Sequence, residues 1–172
     1  EFNKFDEIKE PNLLSYLDLV ALGTVCDVVE LKRYNRFFVQ KGLELIHKRY
    51  HKGIAKLIDN SKISSSPTSQ DLGFIVGPQI NAASRIDDSS LASKLLISND
   101  IEQVESISRK LFLLNEKRKL IESQILDDAN NQAANQSSSN FILVFGNNWH
   151  QGVLGIIASK IKDIYYKPTI VI

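Results

Sequence analysis

The 172-residue chain has no methionine, one cysteine, one tryptophan and four prolines. With Cys26 alone, no internal disulfide and no cysteine-based zinc cage can form. That pattern suits a reducing compartment, and the thiol reads as inert packing. No apolar run approaches the roughly 18 to 20 residues that a membrane helix needs. The acidic opening Glu1-Phe2-Asn3-Lys4-Phe5-Asp6-Glu7 lacks the features of a signal peptide. A cytoplasmic, non-membrane protein is the expectation. No Gly-x-Gly-x-x-Gly follows the first apolar run, so dinucleotide binding has no support. The initiator methionine is missing and the chain stops within the strand-like Pro168-Thr169-Ile170-Val171-Ile172, so a fragment is expected.

Apolar residues make up 43% of the chain, enough for the core of one ordinary domain or two small ones. The net charge of +1 hides an asymmetry. Residues 1–31 hold seven acids against two lysines, and residues 32–62 hold nine lysines and arginines against two acids. The basic block is open to two readings, a solvated helical face or a surface for a polyanion.

Along the chain, residues 13–31 pass from a short helical pattern into "DLVALGTV", whose length and apolarity predict a buried strand broken by Gly23. Phe37, Phe38, Leu43, Leu45, Ile46, Ile54, Leu57 and Ile58 lie among many bases and predict one or two amphipathic helices, punctuated by Gly42 and Gly53. Residues 61–70, "SKISSSPTSQ", read as a polar surface loop. "DLGFIVGPQINAASRIDDSS", residues 71–90, reads as a strand, a Gly-Pro turn and a polar loop leading into a helix over 91–97. Asn99-Asp100-Ile101-Glu102 resembles a capping box with Asn99 as the cap. From there Val104, Ile107, Leu111, Leu114, Ile121 and Ile125 form one helical face, interrupted by Arg118. Extended to about residue 136, that helix is roughly 50 Å long at about 1.5 Å per residue. "NNQAANQSSSN", residues 130–140, frays into a linker. "FILVF", the turn and helix after it, and "PTIVI" then form a β-α-β unit, which favours parallel pairing. The fold class is therefore expected to be α/β.

Few residues are placed for chemistry. Asp27 ends the first expected strand, where a carboxylate serves either as a cap or ion-pair partner or as an oxygen donor to Mn²⁺ or Mg²⁺. Asn81 and Arg85, four apart and followed by Asp87 and Asp88, suit either a phosphate grip or a plain ion pair with those acids. His47 and His51 are spaced for one helical face, but "HKRYH" lacks the glutamate of a zinc-protease helix. In "NNWHQGVLGIIASKI", Trp149 and His150 stand where a helix opens and frees backbone N–H groups for an anion. Trp149 reads as an anchor of the turn or as a stacking surface for a base.

Three stretches in order, "LDLVALGTVCDVVEL", "GPQINAASRIDD" and, after the long helix, "WHQGVLGIIASKI" with "YYKPTIVI", closely resemble the RecJ-type single-strand-specific exonucleases of the DHH phosphoesterase family. The likeness covers nearly the whole chain. It implies that residues 1–99 form the C-terminal part of a DHH catalytic domain, 100–136 a connecting helix, and 137–172 the start of a DHH-associated α/β domain. It implies a Mn²⁺- or Mg²⁺-dependent enzyme that degrades single-stranded DNA from its 5′ end in recombination and repair. It also implies that Asp27 is a metal ligand, and that Asn81, Arg85, His150 and the backbone around Gly152 face the DNA. Metal ions would activate water and stabilise charge on the leaving oxygen. The family's Asp-x-Asp and Asp-His-His motifs do not occur in this sequence, so the isolated chain is expected to be inactive. Gln79, Ser84 and Gln151 replace the family's usual arginine, glycine and proline. Another DHH phosphoesterase, acting on short oligonucleotides or small phosphodiesters, and a non-catalytic nucleic-acid-binding scaffold are the alternatives.

Overall fold

The computed structural model describes residues 11–63, 66–136 and 138–172. The acidic opening, residues 1–10, therefore lies outside the described residues, as does part of the expected loop over 61–70. The chain divides into two compact units, Glu1–Gly77 and Pro78–Ile172.

In the first unit a single 3₁₀ turn, Leu13–Tyr16, leads into α1 (Leu17–Cys26), followed by α2 (Arg33–His47) and α3 (Lys52–Asn60). A short α4 (Ser69–Asp71) continues into a π-helical turn, Leu72–Val76. Both strands expected here are thus helical. In "DLVALGTV" the buried positions are Asp18, Ala21 and Leu22, with Val20 and Gly23 exposed, which is helical spacing. A carboxylate occupying one place in the stripe disguised its period. The expected strand over 71–76 becomes helix because Thr68 and Asp71 form a capping box. The Asp71 N–H donates to Thr68 Oγ1 at 3.3 Å, and the Thr68 N–H donates to Asp71 Oδ2 at 2.8 Å.

Gly42 and Gly53 do not interrupt helices; both are buried inside them. A Cβ on Gly42 would lie 2.2 Å from the Leu17 carbonyl oxygen and 2.4 Å from Ala21 Cβ, so α1 and α2 cross closely because this residue has no side chain. Val39, Ile46, Ile54, Leu57, Ile58, Leu72 and Val76 complete this core. Five of the nine cations of the basic block, Arg33, Arg36, Lys41, Lys52 and Lys56, lie on α2 and α3, and the other four flank these helices. Some are paired locally, as in Lys41 with Glu44 at 2.9 Å and Arg49 with Asp59.

The second unit holds α5 (Gly77–Ile86), α6 (Ser90–Ile97), α7 (Ile101–Ala134), β1 (Ile142–Val144), α8 (Gln151–Tyr165) and β2 (Thr169–Val171). Asp100, one residue after the expected cap, caps the 34-residue α7, its carboxylate accepting from the N–H groups of Glu102 and Gln103. The β-α-β unit forms as expected. β1 and β2 pair in parallel, with Ile142 opposite Thr169 and Val144 opposite Val171. Ile142 and Val144 point into a core built with Ile125, Ala129 and Ala133 of α7 and Val153, Ile157 and Ile161 of α8. Each fully buried isoleucine there contributes roughly 1.5–3 kcal/mol.

Arg118, which breaks the apolar row of α7, belongs to a polar tie between helices. Its Nε donates to Asn115 Oδ1 at 3.2 Å and its Nη1 to Glu122 Oε2 at 2.5 Å, while Lys160 of α8 reaches Glu122 Oε1 at 2.6 Å. The described residues are mostly helical with one small parallel sheet, so among them the α/β expectation holds only for the C-terminal unit.

Candidate nucleic-acid interface

Three of the four residues expected to face DNA meet where α5 ends and α8 begins. His150 is the N-cap of α8, and its Nδ1 accepts the Gly152 N–H at 3.1 Å. Arg85, in the last turn of α5, donates from Nη1 to the Gly152 carbonyl at 3.1 Å. A Cβ on Gly152 would lie 2.0 Å from the Arg85 carbonyl oxygen, so glycine is what permits this approach. Gly155, one turn further along α8, makes no such approach, since a Cβ there meets nothing within 4 Å. Asn81 is exposed one helical turn before Arg85 on α5. The exposed Arg85 guanidinium uses one arm on Gly152, and a five-donor fork retains donors for an anion.

Arg85 does not pair with either following acid. Asp87 accepts the Asp88 N–H at 2.7 Å and pairs with Lys110 at 3.1 Å. Asp88 accepts from the Ser90 N–H and hydroxyl, both at 2.8 Å. These hydrogen bonds lower both carboxyls below their ordinary value of 3.8, chiefly through the backbone N–H of Asp88 for Asp87 and of Ser90 for Asp88. Trp149 lies across Gly146, where a Cβ would come within 2.1 Å of the indole ring, and packs against the α7/α8 core. The anchoring reading of Trp149 fits this placement.

Asp27 belongs to the first unit and does not end a strand. It is the exposed C-cap of α1. The chain turns there through a Schellman motif, with the Val29 N–H bonded to the Thr24 carbonyl at 3.0 Å and the Val28 N–H to the Val25 carbonyl at 3.1 Å. Val28 holds the left-handed position, φ 55°, where glycine is usual. Asp27 offers a hard oxygen donor, but a divalent cation such as Mg²⁺ takes about six oxygen ligands. Among the described residues no group of three or more His, Cys, Asp or Glu is arranged for a metal. The residues present do not make a metal site by themselves. Neighbouring Cys26 has its thiol pushed up from the ordinary 9.0, first by burial and then by the Asp27 charge, which keeps it protonated and unreactive.

His47 and His51 do not share a helical face, because His47 ends α2 and His51 caps the start of α3. His51 instead pairs through Nδ1 with the buried carboxylate of Asp18, and the rings of Tyr16 and Tyr50 lie 5.9 and 5.2 Å away. This pair escaped the sequence reading. The signal was there: a lone aspartate inside an apolar run demands a partner.

A helical first unit, then a long helix running into a parallel β-α-β unit, is the RecJ-like DHH and DHH-associated architecture. The chain closely matches bacterial RecJ proteins over nearly its whole length, in sequence and in fold. The chain is 39% identical over 170 residues to the single-stranded-DNA-specific exonuclease RecJ of Dickeya dadantii, covering 95% of this chain and 30% of that protein. It superposes with a TM-score of 0.87 on RecJ from Thermus thermophilus in complex with Mg²⁺, at 29% identity, over 98% of this chain and 27% of that one. A structure of exonuclease RecJ bound to manganese gives a TM-score of 0.88 at 29% identity, over 98% of this chain and 43% of that one. No protein-family model matches. The chain thus spans 20–31% of the length of the curated relatives it matches. Among the described residues no helix is long and apolar enough to cross a membrane.

Proposed function

We propose that the chain is part of a cytoplasmic, Mn²⁺- or Mg²⁺-dependent exonuclease that hydrolyses single-stranded DNA from the 5′ end in recombination and repair. The observation that carries the reading is the match to RecJ over 95% or more of the chain, in sequence and in fold. On this reading residues 1–99 close a DHH catalytic domain, 100–136 connect, and 137–172 begin a DHH-associated domain. Asp27 contributes one carboxylate to a metal site whose other ligands lie outside this sequence. Arg85 and His150, joined through Gly152, hold the phosphate backbone of the strand, with Asn81 beside them. The chemistry of the cluster supports this role, because phosphate contacts call for N–H donors on a fixed frame.

The test is Mn²⁺-dependent release of nucleotides from 5′-labelled single-stranded DNA by the full-length parent, with duplex DNA and dinucleotides as competing substrates. Activity confined to long single strands and lost in Asp27→Ala is the expected result. Preference for dinucleotides points to another DHH phosphoesterase, and a well-folded but inactive parent to a scaffold. Arg85→Ala is expected to weaken DNA binding and reduce the salt slope by about one; an unchanged slope removes the phosphate role.

A further inference from the structure

The outer edge of β1 is closed by side chains. Along β1 the backbone groups of Ile142 and Val144 face β2, as in the Ile142 N–H to Pro168 carbonyl bond at 2.9 Å and the Ile172 N–H to Val144 carbonyl bond at 3.0 Å. The groups of Leu143 and Phe145 face the opposite way. There Gln136 donates from Nε2 to the Leu143 carbonyl at 2.8 Å and accepts the Leu143 N–H on Oε1 at 3.0 Å. Gln132 repeats the pattern on Phe145, donating at 2.8 Å and accepting at 3.1 Å. Each carboxamide stands in for the peptide group of a neighbouring strand. The spacing explains the fit, because Gln132 in the last turn of α7 and Gln136 in the turn just beyond it stand about 6 Å apart along the axis at helical rise, close to the roughly 6.6 Å of two strand residues. Bonds from Gln132 Nε2 to Asp128 Oδ1 at 3.4 Å and from Gln136 Nε2 to the Gln132 carbonyl at 3.2 Å hold both amides in place.

We propose that Gln132 and Gln136 form an edge plug that bars the β1 segment from pairing with the β1 segment of a second copy of this chain. The protected stretch is "FILVF", residues 141–145, wholly apolar, without proline or charge, and with Phe141 and Phe145 exposed at its two ends. Such a segment on an open edge pairs in register with itself. The plug satisfies the edge with side chains of the same unit, so strand addition there requires breaking four hydrogen bonds first.

The test uses the whole 172-residue chain carrying Gln132→Ala and Gln136→Ala together. Amide hydrogen exchange at Leu143 and Phe145 is expected to accelerate about tenfold or more, while Ile142 stays as protected as in the unaltered chain. Sedimentation velocity is expected to show concentration-dependent self-association, reversed by adding Leu143→Lys, which places like charges on the paired edge. Unchanged exchange at Leu143 and Phe145 overturns the plug; faster exchange in a chain that stays monomeric overturns its role against self-pairing. Should the double variant lose its helical circular dichroism, Gln136→Ala alone, read at Leu143, decides. Loss of fold there too overturns the proposal by making the glutamines part of the fold's own support.

Discussion

Two glycines three residues apart on α8 should respond to alanine with opposite signs. At Gly152 the added Cβ would stand 2.0 Å from the Arg85 carbonyl oxygen and 2.8 Å from its carbonyl carbon, both of them backbone atoms. Ordinary contact begins near 3.4 Å, so α5 and α8 must separate locally by more than an ångström. Overpacking of this kind costs about 1–3 kcal/mol, and rigid backbone on both sides places Gly152→Ala at about 2–3 kcal/mol. At Gly155, exposed in mid-helix with nothing within 4 Å, alanine removes backbone entropy at no steric cost and should stabilise by about 0.5–1 kcal/mol. In a chain of this size those changes correspond to a melting temperature lowered by roughly 4–12 °C and raised by roughly 1–4 °C. Thermal and urea denaturation of the two single variants, followed by circular dichroism, measure them. Gly152→Ala within about 0.5 kcal/mol of the unaltered chain, or the same sign for both substitutions, would refute the close-approach reasoning.

The buried pair of Asp18 and His51 is the next place to probe. Asp18→Asn leaves the imidazole without its carboxylate and should cost about 3 kcal/mol in urea denaturation. Val28 is 88% exposed and held at φ 55°, so Val28→Gly relieves strain without losing burial and should raise stability by about 0.5–1 kcal/mol in the same assay. The carboxyls of Asp87 and Asp88 are lower in the folded chain than their ordinary 3.8, so their stabilising contribution is complete above that value and is lost as pH falls through the folded value. The stability difference between the unaltered chain and Asp88→Asn should therefore vanish in acid well below pH 3.8 and persist at neutral pH.

Periodicity was legible where packing is one-sided. The α7 row from Val104 to Ile125 alternates buried and exposed positions at threes and fours, and β1 alternates buried, exposed, buried. It misled where a polar residue occupied a core position or where a cap was spelled unusually. Asp18 hid the stripe of α1, and the Thr68 capping box closes with Asp71 in place of glutamate. The site divides in the same way. The Gly-Pro turn and polar loop expected around Asn81 and Arg85 are instead helix α5, which sets the two one turn apart; the helix opening marked His150, and only the folded chain joins Arg85 to His150 through Gly152. No local pattern announces a contact between residues 67 positions apart. For His47 and His51 the four-residue spacing was genuine and the helix ended between them.

The cap of α8 also decides what the ring of His150 can offer. Because Nδ1 receives the Gly152 N–H, it carries no proton, and the neutral imidazole must hold its hydrogen on Nε2. The free side of the ring is therefore a donor with no lone pair to present. Beside the guanidinium of Arg85, which also only donates, it makes a locus that selects for acceptor atoms such as phosphate oxygens. Groups that bring their own N–H or O–H find no answering lone pair on either side chain.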